Sequence, residues 1–118
     1  MISKEQATVF ADNWIAAWNA RDMDAILSLY TDDFEMSSPK IVQFTGNNIG
    51  TLKGKENVAA YWRMALDKLP DLHFELIETL VGFDSVTLYY NSIQGKRAVE
   101  WFLFNEDGKV YKAAAHYN

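Results

Sequence analysis

From Leu72 to Tyr117 the apolar residues fall at every second position in four consecutive segments, and this switch to period two limits the fold more than any other feature. The segments are Leu72–Val81, Val86–Ile93, Arg97–Phe104 and Val110–Tyr117. They are joined by Gly82-Phe83-Asp84-Ser85, Gln94-Gly95-Lys96 and Asn105-Glu106-Asp107-Gly108-Lys109, each short and each carrying glycine, as hairpins require. The pattern predicts an antiparallel meander, whose apolar face must be covered.

Helices supply the cover. Ala7, Phe10, Ala11, Trp14 and Trp18 recur at helical spacing behind Ser3, an N-cap with Gln6 three residues on. Asn19-Ala20-Arg21-Asp22 breaks that pattern, and Asp22 caps a short second helix carrying Ile26, Leu29 and Tyr30. Thr31-Asp32-Asp33 ends it, and Phe34-Glu35-Met36-Ser37 alternates like a short strand that stops before Pro39. Ile41 to Thr45 reads as a further strand and Gly46-Asn47-Asn48 as a turn. A third helix, from about Lys55 to Leu69, carries the stripe Val58, Tyr61, Trp62, Ala65, Leu66 and Leu69, and Pro70 stops it. The expected fold is α+β: a single domain, 1–118, with three helices on one face of a strongly curved antiparallel sheet, forming a cone whose inside is a natural pocket.

Composition narrows the chemistry. The 118 residues include 4 Trp, 6 Tyr and 7 Phe, so large rings either fill a bulky core or line a cavity. Cysteine is absent, which excludes disulfides, thiol nucleophiles and thiolate metal sites, and two histidines cannot make a three-histidine centre; no metal or other cofactor is expected. Net charge is −5 without a basic run, so no nucleic-acid partner is expected. No apolar stretch reaches the roughly 20 residues of a membrane span, and the first residues, MISKEQATVF, lack a signal-peptide core; a cytoplasmic protein is the default expectation.

The segments Trp14-Ile15-Ala16-Ala17-Trp18-Asn19-Ala20-Arg21-Asp22, Tyr30-Thr31-Asp32-Asp33-Phe34 and Ser38-Pro39 resemble the start of the nuclear transport factor 2-like superfamily, in particular its SnoaL-like group, which includes polyketide cyclases and is related to ketosteroid isomerases. Gly54-Lys55-Glu56-Asn57-Val58 through Tyr61-Trp62 resembles the glycine-led third helix, and Phe102-Leu103-Phe104 through Gly108-Lys109-Val110 the last hairpin. The resemblance implies a cone-shaped, cystatin-like fold over nearly the whole chain; it leaves activity open, because that fold hosts cyclases, isomerases, dehydratases, hydrolases and binding modules. It puts the isomerases' first-helix tyrosine at Trp14, their aspartate base at Ser38 and their second acid at Glu100. An indole N–H donates but does not titrate, and a serine is no base, so ketosteroid isomerisation by that route is not expected. The cyclases resemble a single late acid working in a hydrophobic pocket, a part open here to Glu100.

Glu100 is the sole charge in Ala98-Val99-Glu100-Trp101-Phe102-Leu103-Phe104, and burial there would raise its pKa into the range of a general acid or base. The competing reading is a structural acid paired with Arg97, Arg63 or a tyrosine. With Glu100 inside, Ala113, Ala115 and Tyr117 share its side and His116 points outward with Lys112 and Ala114. His73 and Glu75 read as a solvated pair, Asp32 and Asp33 as turn and capping residues, and Ser37 and Ser38 as hydrogen-bonding groups at the pocket mouth rather than nucleophiles. The expected catalytic set is Glu100 as acid or base, with Trp14, Tyr30 or Tyr117 donating to a developing oxyanion. Trp18, Phe34, Met36, Ser38, Tyr61, Trp62, Phe74, Phe102 and Ala115 are expected to line a site for a small, largely apolar molecule, and Phe104 joins the same aromatic set. Val99, Trp101 and Leu103 face the other side of the sheet, where a second copy of the chain is the expected cover. The activity implied is a cofactor-free isomerisation, cyclisation or dehydration; the alternative is a non-catalytic ligand-binding or dimerisation module. An epoxide hydrolase would need an Asp-Arg-Asp set that Arg21, Arg63 and Arg97 do not evidently complete.

Overall fold

Ser3 opens α1 (Lys4–Asn19) through a full capping box: its hydroxyl accepts from the Gln6 N–H, and the Gln6 side chain accepts from the Ser3 N–H. Asp22 caps α2 (Met23–Leu27) with its side chain alone, accepting from the Ala25 N–H. The computed structural model describes residues 1–118, and its remaining elements are β1 (Tyr30–Ser37), α3 (Pro39–Thr45), β2 (Thr51–Lys53), α4 (Lys55–Lys68), β3 (Glu75–Val81), β4 (Ser85–Asn91), β5 (Arg97–Phe104) and β6 (Val110–Tyr117). A single 3₁₀ turn, Ile93–Gly95, links β4 to β5.

Several expectations need correcting. Residues 41–45 form a helix, not a strand: Ser38 accepts from the Lys40 N–H as N-cap, Pro39 takes the first helical position, and Gly46 closes the turn at φ 74°. There are thus four α-helices rather than three. Thr31-Asp32-Asp33 does not end α2; it belongs to β1, where Asp32 meets Lys55 at 3.4 Å and Asp33 accepts from the Thr31 hydroxyl. Tyr30 is likewise a strand residue, because α2 stops after five residues. Finally, the six-stranded sheet, ordered β2-β1-β6-β5-β4-β3, is antiparallel except for β1 and β6, which run parallel with Met36 opposite Ala113. The chain between them, with its helices, provides the long crossover that a parallel pair needs.

β3 starts at Glu75, three residues later than the alternation suggests. The Asn19 side chain takes over at that point: its amide donates to the Phe74 carbonyl (2.9 Å) and accepts from the Phe74 N–H (2.7 Å), as a neighbouring strand would. Next along the chain, Arg21 points its guanidinium at the carbonyls of Leu66, Leu69 and Pro70, satisfying the end of α4. Gly54 precedes α4 at φ 90°, a backbone that L side chains rarely adopt, and its N–H binds the Phe34 carbonyl (2.8 Å).

α1 packs over β3 and α4 over β1, so helices cover the inner face of the sheet. Along β5 the burial alternates strictly: Ala98, Glu100, Phe102 and Phe104 face inward, and Val99, Trp101 and Leu103 outward. The inner face is a continuous aromatic core. Trp14 is its hub, stacked on Phe74 (5.5 Å) with Tyr90 (5.2 Å) and Phe102 (5.5 Å) meeting it edge-on.

Candidate functional site

The cone is filled at the Phe104 end, where Phe10 packs edge-on against Phe102 and Phe104, and hollow at the other. The hollow has about 520 Å³ not occupied by atoms, part of it shared with open solvent. Aromatic rings close in on this space from several sides, which makes it a slot rather than a chamber. Its walls come from every layer: Trp14 and Trp18 from α1, Met36 from β1, Tyr61 and Trp62 from α4, Tyr90 from β4, Glu100 from β5 and Tyr117 from β6.

Glu100 is 4% exposed. It enters none of the chain's ion pairs, and its one hydrogen-bond donor is the Tyr90 hydroxyl at 3.1 Å. Burial pushes its pKa from 4.5 up to about 7, against the opposing pull of the Tyr90 bond. The arginines that could have neutralised it lie elsewhere: Arg97 donates to the Tyr89 hydroxyl (2.9 Å), and Arg63 is exposed. Four phenols surround this carboxyl electrostatically. Burial, and then the Glu100 charge, raise Tyr30, Tyr90 and Tyr117 well above 10. Burial likewise lifts Tyr61 to about 12, opposed by hydrogen bonding with Ser38. At neutral pH all four keep their protons, so the site holds one titrating acid among neutral hydroxyl groups.

The expected site residues divide into two groups. Glu100, Trp14, Trp18, Met36, Ser38, Tyr61, Trp62, Phe74 and Tyr117 meet around the slot. Tyr30, Phe34, Phe102 and Ala115 lie behind it in the core. Tyr30 is spent internally, accepting the Trp14 indole N–H at 2.9 Å, which uses the donor expected of Trp14 as well. The reason is geometric: once β1 begins at Tyr30, the ring faces Phe34 and Trp62 rather than the mouth. Ser38 is 4% exposed and caps α3 beside the slot. His73, Glu75, Asp32, Asp33 and His116 are exposed and take no part.

Tyr90 is the main residue that the sequence reading missed. The signal was available: Val86, Leu88 and Tyr90 alternate inward on β4, and Leu88 pairs with Glu100. Lys40 and Phe44 were hidden because α3 was read as a strand; one helical turn apart, both reach the slot. Leu69, Leu72, Ser92 and Ile93 join from the segments after α4 and β4. Trp18 contributes a buried indole N–H with no acceptor in the protein.

The family model for the SnoaL-like domain matches residues 11–113. A SnoaL-like protein of unknown function from Burkholderia thailandensis is 56% identical, with 99% of this chain and 98% of that one covered and a TM-score of 0.95. Two more distant structures share the fold. One is a proposed isomerase of the SnoaL-like family from Agrobacterium tumefaciens (15% identity, 97% and 98% covered, TM-score 0.76). The other is IdmH, a proposed polyketide cyclase from Streptomyces antibioticus (13%, 96% and 92%, 0.79). No curated protein matches the chain.

Proposed function

The chain belongs to the SnoaL-like family, and on that premise we propose that it binds a small, largely apolar organic molecule in the aromatic slot and transfers a proton to or from it through Glu100. The observation that carries this reading is a carboxyl group buried without a cation, held by one phenol and poised near neutral pH. A carboxyl buried without a cation costs stability, and the hydrogen bond from Tyr90 offsets only part of that cost. Tyr117 and Tyr61, which also line the slot, then act as hydroxyl donors to a carbonyl or enol oxygen, while the Tyr90 hydroxyl holds Glu100. The chemistry is a cofactor-free isomerisation, cyclisation or dehydration, all of which begin with a proton moving next to a carbonyl or hydroxyl.

The test needs no knowledge of the product. Hydrophobic ketones are screened for thermal stabilisation, because a ligand of the native state raises apparent stability by mass action. Those that bind are then followed by NMR in D₂O. Wild type is expected to exchange the protons next to the carbonyl, and Glu100→Gln to do so slower by about 10²–10⁴-fold with binding retained. Binding without exchange by wild type would establish the alternative, a non-catalytic ligand-binding module.

Self-association is proposed through the outer face of the sheet. Trp101 stands between Thr87 and Ala114 there, and Val99 between Tyr89 and His116, with Leu103 alongside and Leu80 57% exposed at the β3 edge. Light scattering is expected to give a dimer, and Trp101→Glu a monomer that keeps its secondary structure; a monomeric wild type at micromolar concentration removes this interface.

A further inference from the structure

Two charged side chains line the slot, and they differ in kind. Glu100 lies buried within it. Lys40 is half-buried, with its ammonium 5.0 Å from the centre of the Tyr117 ring. The chain has 16 acidic residues, yet none of them pairs with Lys40. The lysines that do find carboxylates are Lys53 and Lys112, both on Glu35, and Lys55, on Asp32; all three lie away from the slot. Lys68 repeats the arrangement more weakly, 5.7 Å from the ring centre of Phe44, one helical turn along α3 from Lys40. So two lysines rest on aromatic rings that belong to the slot, in a protein whose net charge is −5. A ring face attracts a cation without neutralising it, so the ammonium keeps its charge and its donors for an anion.

We propose that the ligand carries an anionic oxygen group, a carboxylate or an enolate, which Lys40 holds while the uncharged body enters the slot toward Glu100. This deepens the reading of the slot as a ligand site and rests on it. A compact, largely apolar body suits a slot walled mostly by aromatic and aliphatic side chains. An anion here also suits Glu100 in its protonated, proton-donating form, because like charges resist sharing a site.

The experiment titrates tryptophan fluorescence, since Trp14, Trp18 and Trp62 all line the slot, with benzoate, phenylacetate and cinnamate, each against its primary amide. At neutral pH the carboxylates are expected to bind at least about tenfold tighter than the amides, a preference that shrinks toward 1 M salt as screening shortens to about 3 Å. Lys40→Met is expected to abolish the preference, bringing the acids down to the affinity of their amides. Equal binding of acids and amides to wild type overturns the proposal, and so does a preference that survives Lys40→Met. If neither series binds, the proposal falls, and the ketone screen alone decides whether the slot is a ligand site. If amides bind as well as acids, only the anionic preference is lost.

Discussion

Glu100→Gln is expected to make the protein more stable by about 3 kcal/mol at pH 8 and to leave it nearly unchanged at pH 4. The carboxyl ionises near 4.5 in the unfolded chain and at about 7 in the folded one. Below 4.5 both states are protonated and burial costs only a neutral group. Between 4.5 and 7, unfolding releases a proton, so each rise in pH favours the unfolded chain. Above 7 both states are ionised and the penalty has reached its full value. Glutamine keeps the shape and the oxygen that accepts from Tyr90, and it removes the ionisation. Urea unfolding at pH 4, 6 and 8 checks this: wild type is expected to lose stability across the window relative to the variant, and parallel curves would show that Glu100 titrates normally. The phenols around it do not intrude, because burial holds all of them far above this range. A variant that gains stability while losing proton exchange would show a group kept for function at the expense of the fold.

Trp14→Ala is expected to cost about 3–5 kcal/mol, a large share of the total stability of a domain this size. Trp14 is 1% exposed and touches Trp18, Phe74, Tyr90 and Phe102, so its loss leaves a void that four rings on four separate segments cannot all fill. Trp14→Phe separates the contributions. It keeps most of the ring contacts but deprives the buried Tyr30 hydroxyl of its indole donor, an expected cost of about 1–3 kcal/mol. Denaturant melts of both variants give the comparison; a loss under about 1 kcal/mol for Trp14→Ala would mean that the core re-collapses and Trp14 is not its hub.

The sheet was legible in the sequence because each strand of the meander carries its own period and its own turn. β5 and β6 run over the residues that alternation gives, and the inward set Ala98, Glu100, Phe102 follows from period two alone. α3 was not legible, since Ile41, Val42 and Phe44 have strong strand propensity; capping by Ser38 and the fixed φ of Pro39 outweigh it. That one misreading concealed Lys40 and Phe44 and with them the charge at the mouth. The start of β3 was hidden for a different reason: the Asn19 amide imitates a strand neighbour from the end of a distant helix, which local pattern does not encode. Tyr30 misled in a third way. Its place in the fold follows from the parallel pairing of β1 with β6, where Tyr30 stands opposite Val110, and a parallel partner so far along the chain leaves no local trace.

That pairing also governs the order in which the molecule can assemble. β3 to β6 are hairpin neighbours and need little loop closure to meet. β1 must wait for β6, whose partner residues are made about 80 positions later, and a contact this distant sets a slow step in folding. Until it forms, Met36 and Ser38 are not seated beside Tyr117, and the inner aromatic face lies open to other chains. A compact aryl compound that fits the finished slot would therefore act on the late side of the folding barrier. It would slow unfolding and leave the refolding rate unchanged.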